Sequence, residues 1–121
     1  MSKNEIPILE YDPNQNAIIN PDVILTPEFK PVSGGLPKGC ILCFYQEVLE
    51  EKAASGELEQ VGIASTTNGE LPTYIYETDD CEIAVMHPQV GAPMSVIIME
   101  RMIVQGCEKF IIIGGAGSLV H

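Results

Sequence analysis

The stretch that decides the fold is Lys109–Ile113 (KFIII), which is followed directly by Gly114–Gly117 (GGAG). A strand without polar alternation needs cover on both faces, as parallel strands of α/β proteins have. In open α/β sheets the loop at the carboxyl end of such a strand often lines a ligand crevice. The sequence therefore predicts a buried strand that ends in a glycine-rich loop at a candidate binding edge.

The residues before this strand have the pattern of a strand and a helix. Ile83–Met86 is a short apolar run, and Met94–Gln105 has helical character with Gly106 as a stop signal. Strand, helix, strand units favour a right-handed crossover, so we expect Phe110–Ile113 to run parallel to the Cys81–His87 strand. The helix is apolar nearly all round, which predicts burial on more than one side.

The middle of the chain predicts the rest of a sheet. Cys40–Phe44 indicates a strand, and Gln46–Ser55 indicates a helix with Gly56 as its C-terminal cap. The helix is expected to turn three apolar residues inward: Val48, Leu49 and Ala53. Turn signals then separate three strands of an antiparallel meander, at Gln60–Thr66, Thr73–Glu77 and Cys81–His87. The predicted class is α/β, a mixed β-sheet with flanking helices.

The chain divides into two segments. Residues 1–39 carry most of the nine prolines, which predicts an extended segment packed on the domain with one short strand at 23–25. Residues 40–121 form the α/β domain, and a chain of 121 residues supports one domain overall.

Charge and hydropathy limit the function classes. The 17 acidic and 6 basic residues give a net charge of −11, which argues against nucleic-acid or anionic-membrane partners. Met1–Pro7 lacks the apolar core of a signal peptide, and Phe110–Val120 is too short to span a bilayer. We therefore expect a cytoplasmic protein with a small-molecule or protein partner.

The string Val90–Leu119 (VGAPMSVIIMERMIVQGCEKFIIIGGAGSL) resembles the central stretch of the nucleoside phosphorylase family. That family joins a G-x-P turn, an apolar helix ending in Gly, an apolar strand and a glycine-rich loop. The resemblance implies the amino-terminal half of that fold. It also implies a parent activity of reversible phosphorolysis of a nucleoside to free base and ribose 1-phosphate, with inorganic phosphate as co-substrate and no other cofactor.

Two backbone turns are the candidate binding residues. A glycine at Gly91 suits a helix start, and the free amides after it attract anions. The resemblance places phosphate at Gly91 and Ala92, and phosphate and ribose beside Gly114, Gly115, Ala116 and Gly117. A glycine at position 91 that only turns the chain is the open alternative.

Departures from the family pattern weaken the expectation of catalysis. Ile112 stands near the position where many members have an arginine, and Gly115 stands where they have Ser or Thr. The family's ribose-binding and acid residues belong to its carboxyl half. We therefore assign no catalytic residue, interpret the chain as a truncated relative that is inactive alone, and leave its base preference open.

A different class of function remains open beside this one. Half of a sheet exposes an apolar face and an unpaired edge, and such surfaces associate. The alternative is a non-catalytic oligomerisation or ligand-binding module, a homodimer or larger, with Phe110–Leu119 or the Met94 helix near the interface.

The histidines and cysteines offer weaker signals. His87 ends a predicted strand near the proposed phosphate turn, so it is either a substrate contact or satisfied locally. Cys40 and Cys43 have a redox-like spacing, but period-two alternation sends their sulfurs to opposite faces of a strand, as small core residues would lie. No metal-ligand cluster can be assembled from the spacing.

Overall fold

The computed structural model describes residues 32–118. They form, in chain order, β1 (Gly39–Cys43), α1 (Gln46–Ser55), β2 (Leu58–Thr66), β3 (Gly69–Glu77), β4 (Glu82–Met86), α2 (Ala92–Val104) and β5 (Lys109–Ile113). The strand predicted at 23–25 and most of the proline-rich segment lie outside the described residues. Every element predicted between 40 and 113 is present, with strand ends that differ by up to four residues.

The five strands form one mixed sheet in the order β2-β3-β4-β1-β5. β2 pairs with β3 and β3 pairs with β4 in antiparallel fashion, which confirms the predicted meander. β1 pairs in parallel with β4 on one side and with β5 on the other. The α/β class is therefore confirmed, and β5 runs parallel to β4 with β1 between them.

Helix α1 covers one face of the sheet through Leu49. Its C-terminal cap is Gly56, at φ 84° in the left-handed region, and the Gly56 amide donates to the Ala53 carbonyl at 3.2 Å. The predicted inward position of Val48 is wrong, because that side chain is 42% exposed. Residues 49 and 53 lie one turn apart on the sheet side, whereas Val48 is rotated away by about 100°. The cluster beneath α1 comprises Cys43, Leu49, Leu58, Tyr74 and Val85.

Helix α2 covers the opposite face through Ile98 and Met102, which are one turn apart and almost completely buried. The prediction that this helix is buried on more than one side is wrong for the described residues. Four apolar side chains on its remaining surface are 37–52% exposed: Val96, Ile97, Ile103 and Val104. Only one stripe of α2 meets the sheet, because the described chain places no further layer outside it.

Strand β5 lies at an edge of the sheet and is much less buried than its composition predicts. Ile111 is 62% exposed, Ile112 58% and Ile113 42%. The expected cover on both faces is therefore wrong for the described residues. β5 has a single strand neighbour, and α1 packs against residues of β2, β3 and β4 instead.

The entry to β1 is bound to the exit of α2. The Leu36 amide donates to the Gln105 carbonyl at 2.8 Å, and the Lys38 carbonyl accepts from the amides of Glu108 and Lys109. Gly106 lies between these contacts at φ 118°. These hydrogen bonds align the start of β1 with the start of β5, so the two strands also end together.

Candidate functional site

The carboxyl ends of three parallel strands form one edge of the sheet. Leu42 is in register with Met86 of β4, and Cys43 is in register with Ile113 of β5. The segments that leave these strands, 44–45, 87–91 and 114–117, therefore begin side by side. The carboxyl-edge crevice, as we name the surface formed by these three segments, includes all the predicted binding residues except Ala92, which follows at the first position of α2.

The connections from the two central strands diverge at this edge. Leu49 of α1 packs with Val85, whereas Ile98 of α2 packs with Met86. Val85 and Met86 are successive residues of β4 and point to opposite faces. β1 thus leads to a helix on one face and the adjacent β4 leads to a helix on the other. Such a divergence between neighbouring parallel strands is where open α/β sheets bind ligands.

The glycine-rich loop lies close to two aromatic side chains of the same edge. A Cβ on Gly114 would be 3.2 Å from Cδ2 of Phe44, and one on Gly115 would be 3.1 Å from the Tyr45 hydroxyl oxygen. Neither glycine has a positive φ. The glycines permit close approach of backbone and aromatic rings instead.

Gly91 begins α2 at φ 96°, a conformation that side-chain-bearing residues rarely adopt. Pro93 follows within the first turn, and the first intrahelical bond runs from the Ser95 amide to the Gly91 carbonyl at 3.1 Å. The amides of Ala92 and Met94 precede that bond and have no acceptor within the helix. This geometry is compatible with both interpretations of Gly91. The glycine is needed for the turn, and the amides that follow it are available to an anion.

His87 is held by its neighbours in the loop after β4. Its Nδ1 accepts from the Gln89 amide at 3.2 Å, and its ring meets Phe44 edge-on at 6.4 Å between centroids. In the neutral ring the hydrogen therefore lies on Nε2. Gln89 itself is buried at φ 60° and accepts from Nδ2 of Asn68 at 3.3 Å. Nδ1 of His87 thus has a hydrogen-bond partner within its own loop, and the Nε2 group remains as a donor.

A small cavity adjoins the start of α2. Its volume is about 160 Å³, and Phe44, Ala92 and Ile112 contribute to its mostly apolar lining. Pockets that enclose a small organic ligand are typically about 300–1,000 Å³. This cavity is therefore too small to enclose a ligand of nucleoside size.

Cys40 and Cys43, which have a redox-like spacing, do not come together in the fold. Cys40 packs with α2 and Cys43 packs beneath α1, which confirms their predicted placement on opposite faces. The hydrogen bond with Cys107, together with burial, raises the pKa of the Cys40 thiol well above its usual range. A buried thiol with so high a pKa is a poor nucleophile, which disfavours an enzyme that acts through Cys40.

Sequence reasoning missed three contributors to this edge: Phe44, Tyr45 and Gln89. The two aromatic residues follow a strand directly, so the strand-end rule that selected the glycine loop also applies to them. No local pattern predicts a non-glycine residue at positive φ such as Gln89. Over residues 32–118 no group of His, Cys, Asp and Glu side chains is placed to hold a metal ion. None of the helices described between 32 and 118 has the length and apolarity needed to cross a membrane.

Comparison of the chain with family models, curated proteins and solved structures finds no match.

Proposed function

We propose that this chain is a nucleoside phosphorylase-like protein whose carboxyl-edge crevice binds inorganic phosphate and a nucleoside. The observation that carries the proposal is that β4, which leads to the Gly91 turn, and β5, which leads to the Gly114–Gly117 loop, end at the same edge of the sheet on either side of β1. These two turns are 23 residues apart in sequence, counted from 91 to 114. The family resemblance assigns phosphate or ribose to both turns, and a single ligand needs them at the same edge.

Different residues of this edge suit the phosphate, the base and the ribose. The free amides at the start of α2 favour phosphate, because they combine donor groups with the positive end of the helix dipole. Phe44 is 37% exposed and Tyr45 44%, which leaves ring surface on which a base stacks. Phe44 and Tyr45 follow β1, which lies between β4 and β5, and the backbone of Gly114 and Gly115 after β5 would contact the ribose.

The same edge is poorly equipped for turnover. In phosphorolysis a phosphate oxygen bonds to C1′ of the ribose while the bond from C1′ to the base nitrogen breaks, and the departing base takes up a proton. Segments 44–45, 87–94 and 114–117 contain no Asp, Glu, Lys or Arg. Stabilising the separated charges of that transition state requires placed charged or acidic groups. We therefore propose that the chain binds these ligands without turning them over by itself.

Calorimetric titration with inosine, adenosine and uridine in phosphate buffer tests the binding proposal. We expect saturable binding of at least one nucleoside, weakened about tenfold by Phe44→Ala because the base loses its stacking partner. Val48→Ala is the matched control, since Val48 is a similarly exposed apolar residue on α1.

Chromatography of the same mixtures for free base and ribose 1-phosphate tests the second part. We expect no product above the rate without protein. Rapid turnover by the 121-residue chain would show that it is an active enzyme. Failure of all three nucleosides to bind would contradict the family proposal.

A specific observation also favours self-association as a second candidate. Within residues 32–118, one edge of β5 is unpaired, and the three isoleucines of this strand are 42–62% exposed. Edges and apolar surfaces of this kind readily pair with a second copy. The net charge of −11 on each copy opposes association, so added salt should strengthen it.

Light scattering during size-exclusion chromatography is expected to give a homodimer or larger species. Ile113→Lys should shift the protein toward monomer, because a charge in the interface would be buried without a partner. Ile63→Lys is the matched control: Ile63 is 43% exposed on β2, the strand at the opposite edge of the sheet. A stable monomer at all concentrations, or equal effects of both substitutions, would count against association through β5.

A further inference from the structure

A larger cavity, which we name the α1-face cavity, lies between α1, the β2–β3 hairpin and the loop after β4. Its volume is about 530 Å³, within the range of about 300–1,000 Å³ that is typical of small-molecule sites. Leu49 and Tyr74 contribute a buried apolar base. An irregularity in β2 between Gln60 and Gly62 brings both Gln60 and Ile63 to this face. The hairpin thereby forms a wall of the cavity as well as part of the sheet.

Among residues 32–118, the side chains of fixed charge that line this cavity are carboxylates. They are those of Glu50 and Glu70, which line it together with side-chain amides, and no Lys or Arg of the described part of the chain is among them. The chain as a whole carries a net charge of −11. A concave surface lined by one sign of charge concentrates ligands of the opposite sign and excludes those of its own. The cavity is therefore suited to cations, and phosphate groups are disfavoured there.

The polar rim is held in place before any ligand arrives. Nε2 of Gln46 donates to Oε1 of Glu50 at 2.7 Å, which orients that carboxylate. Nδ2 of Asn68 donates to Oε1 of Gln89 at 3.3 Å and joins the β2–β3 turn to the loop after β4. Groups that are already fixed lose less entropy when a ligand binds.

Tyr74 lines the cavity together with Glu50. The residue is 6% exposed, and burial, followed by the negative charge of Glu50, raises the pKa of its phenol. The phenol therefore stays neutral at physiological pH. An aromatic ring near a carboxylate is a combination that attracts organic ammonium groups, by charge and by the electron-rich face of the ring.

We propose that the α1-face cavity binds a small organic amine. The ammonium group pairs with the rim carboxylates of Glu50 and Glu70, and the hydrocarbon part covers Leu49 and Tyr74. This site requires neither phosphate nor nucleoside, so it is distinct in chemistry from the carboxyl-edge crevice. The two sites share only the loop that contains His87, Gln89 and Val90.

Calorimetry with putrescine and with phenethylamine tests this assignment, with 1,4-butanediol and succinate as uncharged and anionic controls. We expect at least one amine to bind saturably, to bind more weakly as salt is added, and to bind far better than either control. Glu50→Gln and Glu70→Gln should each weaken amine binding by about tenfold, the loss expected for a charge-assisted hydrogen bond.

Glu51→Gln is the matched variant, because it removes the same charge from an exposed residue of α1 that does not line the cavity. Amine binding should be retained by this variant. An equal loss in Glu50→Gln and Glu51→Gln would indicate nonspecific attraction to an acidic surface and overturn the proposal. Absence of saturable binding by both amines, in protein whose circular dichroism shows it folded, would overturn it as well. Nucleoside binding is measured separately with Phe44→Ala, so failure of one proposal leaves the other distinguishable.

Discussion

Leu42→Ala is expected to lower the free energy of unfolding by about 2–5 kcal/mol. Leu42 is 1% exposed in the central strand β1 and packs in one cluster with Met86, Ile98 and Met102. Truncation removes buried methyl groups and leaves a cavity among side chains from β4 and α2. Both the lost burial and the cavity destabilise the chain, and urea denaturation measures their sum.

Ile112→Ala is the matched control for this prediction. Ile112 is the direct register partner of Leu42 on β5, but it is 58% exposed. Its truncation should cost about 1 kcal/mol or less in dilute protein, because little of its surface is removed from water. Equal losses for the two variants in dilute monomeric protein would contradict the placement of β1 at the centre of the sheet and β5 at its edge.

Gly106→Ala is expected to destabilise the chain by about 2–3 kcal/mol. Gly106 ends α2 at φ 118°, and a Cβ there would be 3.1 Å from the Leu36 carbonyl oxygen. That oxygen belongs to backbone that is fixed by the hydrogen bond from the Leu36 amide to Gln105. The substitution therefore combines an unfavourable dihedral with a contact that cannot relax cheaply.

Gly69→Ala separates these two causes. Gly69 has a nearly equal φ of 113°, but a Cβ there would meet nothing within 4 Å. Its substitution should cost about 1–2 kcal/mol, from the dihedral alone. If Gly69→Ala is as costly as Gly106→Ala in urea denaturation, the close approach of Leu36 to the end of α2 is wrong.

Much of the local structure follows from short-range sequence signals. The predicted helix at Gln46–Ser55 coincides with α1, and Gly56 has the left-handed conformation that a capping glycine supplies. The Asn68-Gly69 turn gives the β2–β3 hairpin for the same reason. These features depend on residues within a few positions of each other, so one sequence suffices to predict them.

Burial on α2 and β5 could not be predicted in the same way. An apolar run such as Ile111–Ile113 indicates a strand that can be buried on both of its faces. It does not indicate which neighbours lie there, and the order β2-β3-β4-β1-β5 gives β5 one neighbouring strand in the described part of the chain. Val96 and Ile103 of α2 are exposed for the related reason that a single stripe of that helix contacts the sheet.

The two candidate sites differ in the same way, because local sequence signals predict one of them and not the other. Gly91 and the Gly114–Gly117 loop were found because each follows a strand or begins a helix. The hydrogen bond between Asn68 and Gln89, on which the wall of the α1-face cavity depends, joins residues 21 positions apart. It depends on strand pairing and on a positive φ at a glutamine, and neither has a local sequence pattern.

The central claim is that the carboxyl-edge crevice is a phosphate and nucleoside site, and amide NMR titration tests it most directly. Inorganic phosphate is added first and inosine second, and each backbone amide is followed. We expect phosphate to shift the amides of Ala92 and Met94, and inosine then to shift those of Gly114–Gly117. Shifts confined to exposed lysines such as Lys38, or no shifts at either turn, would contradict it.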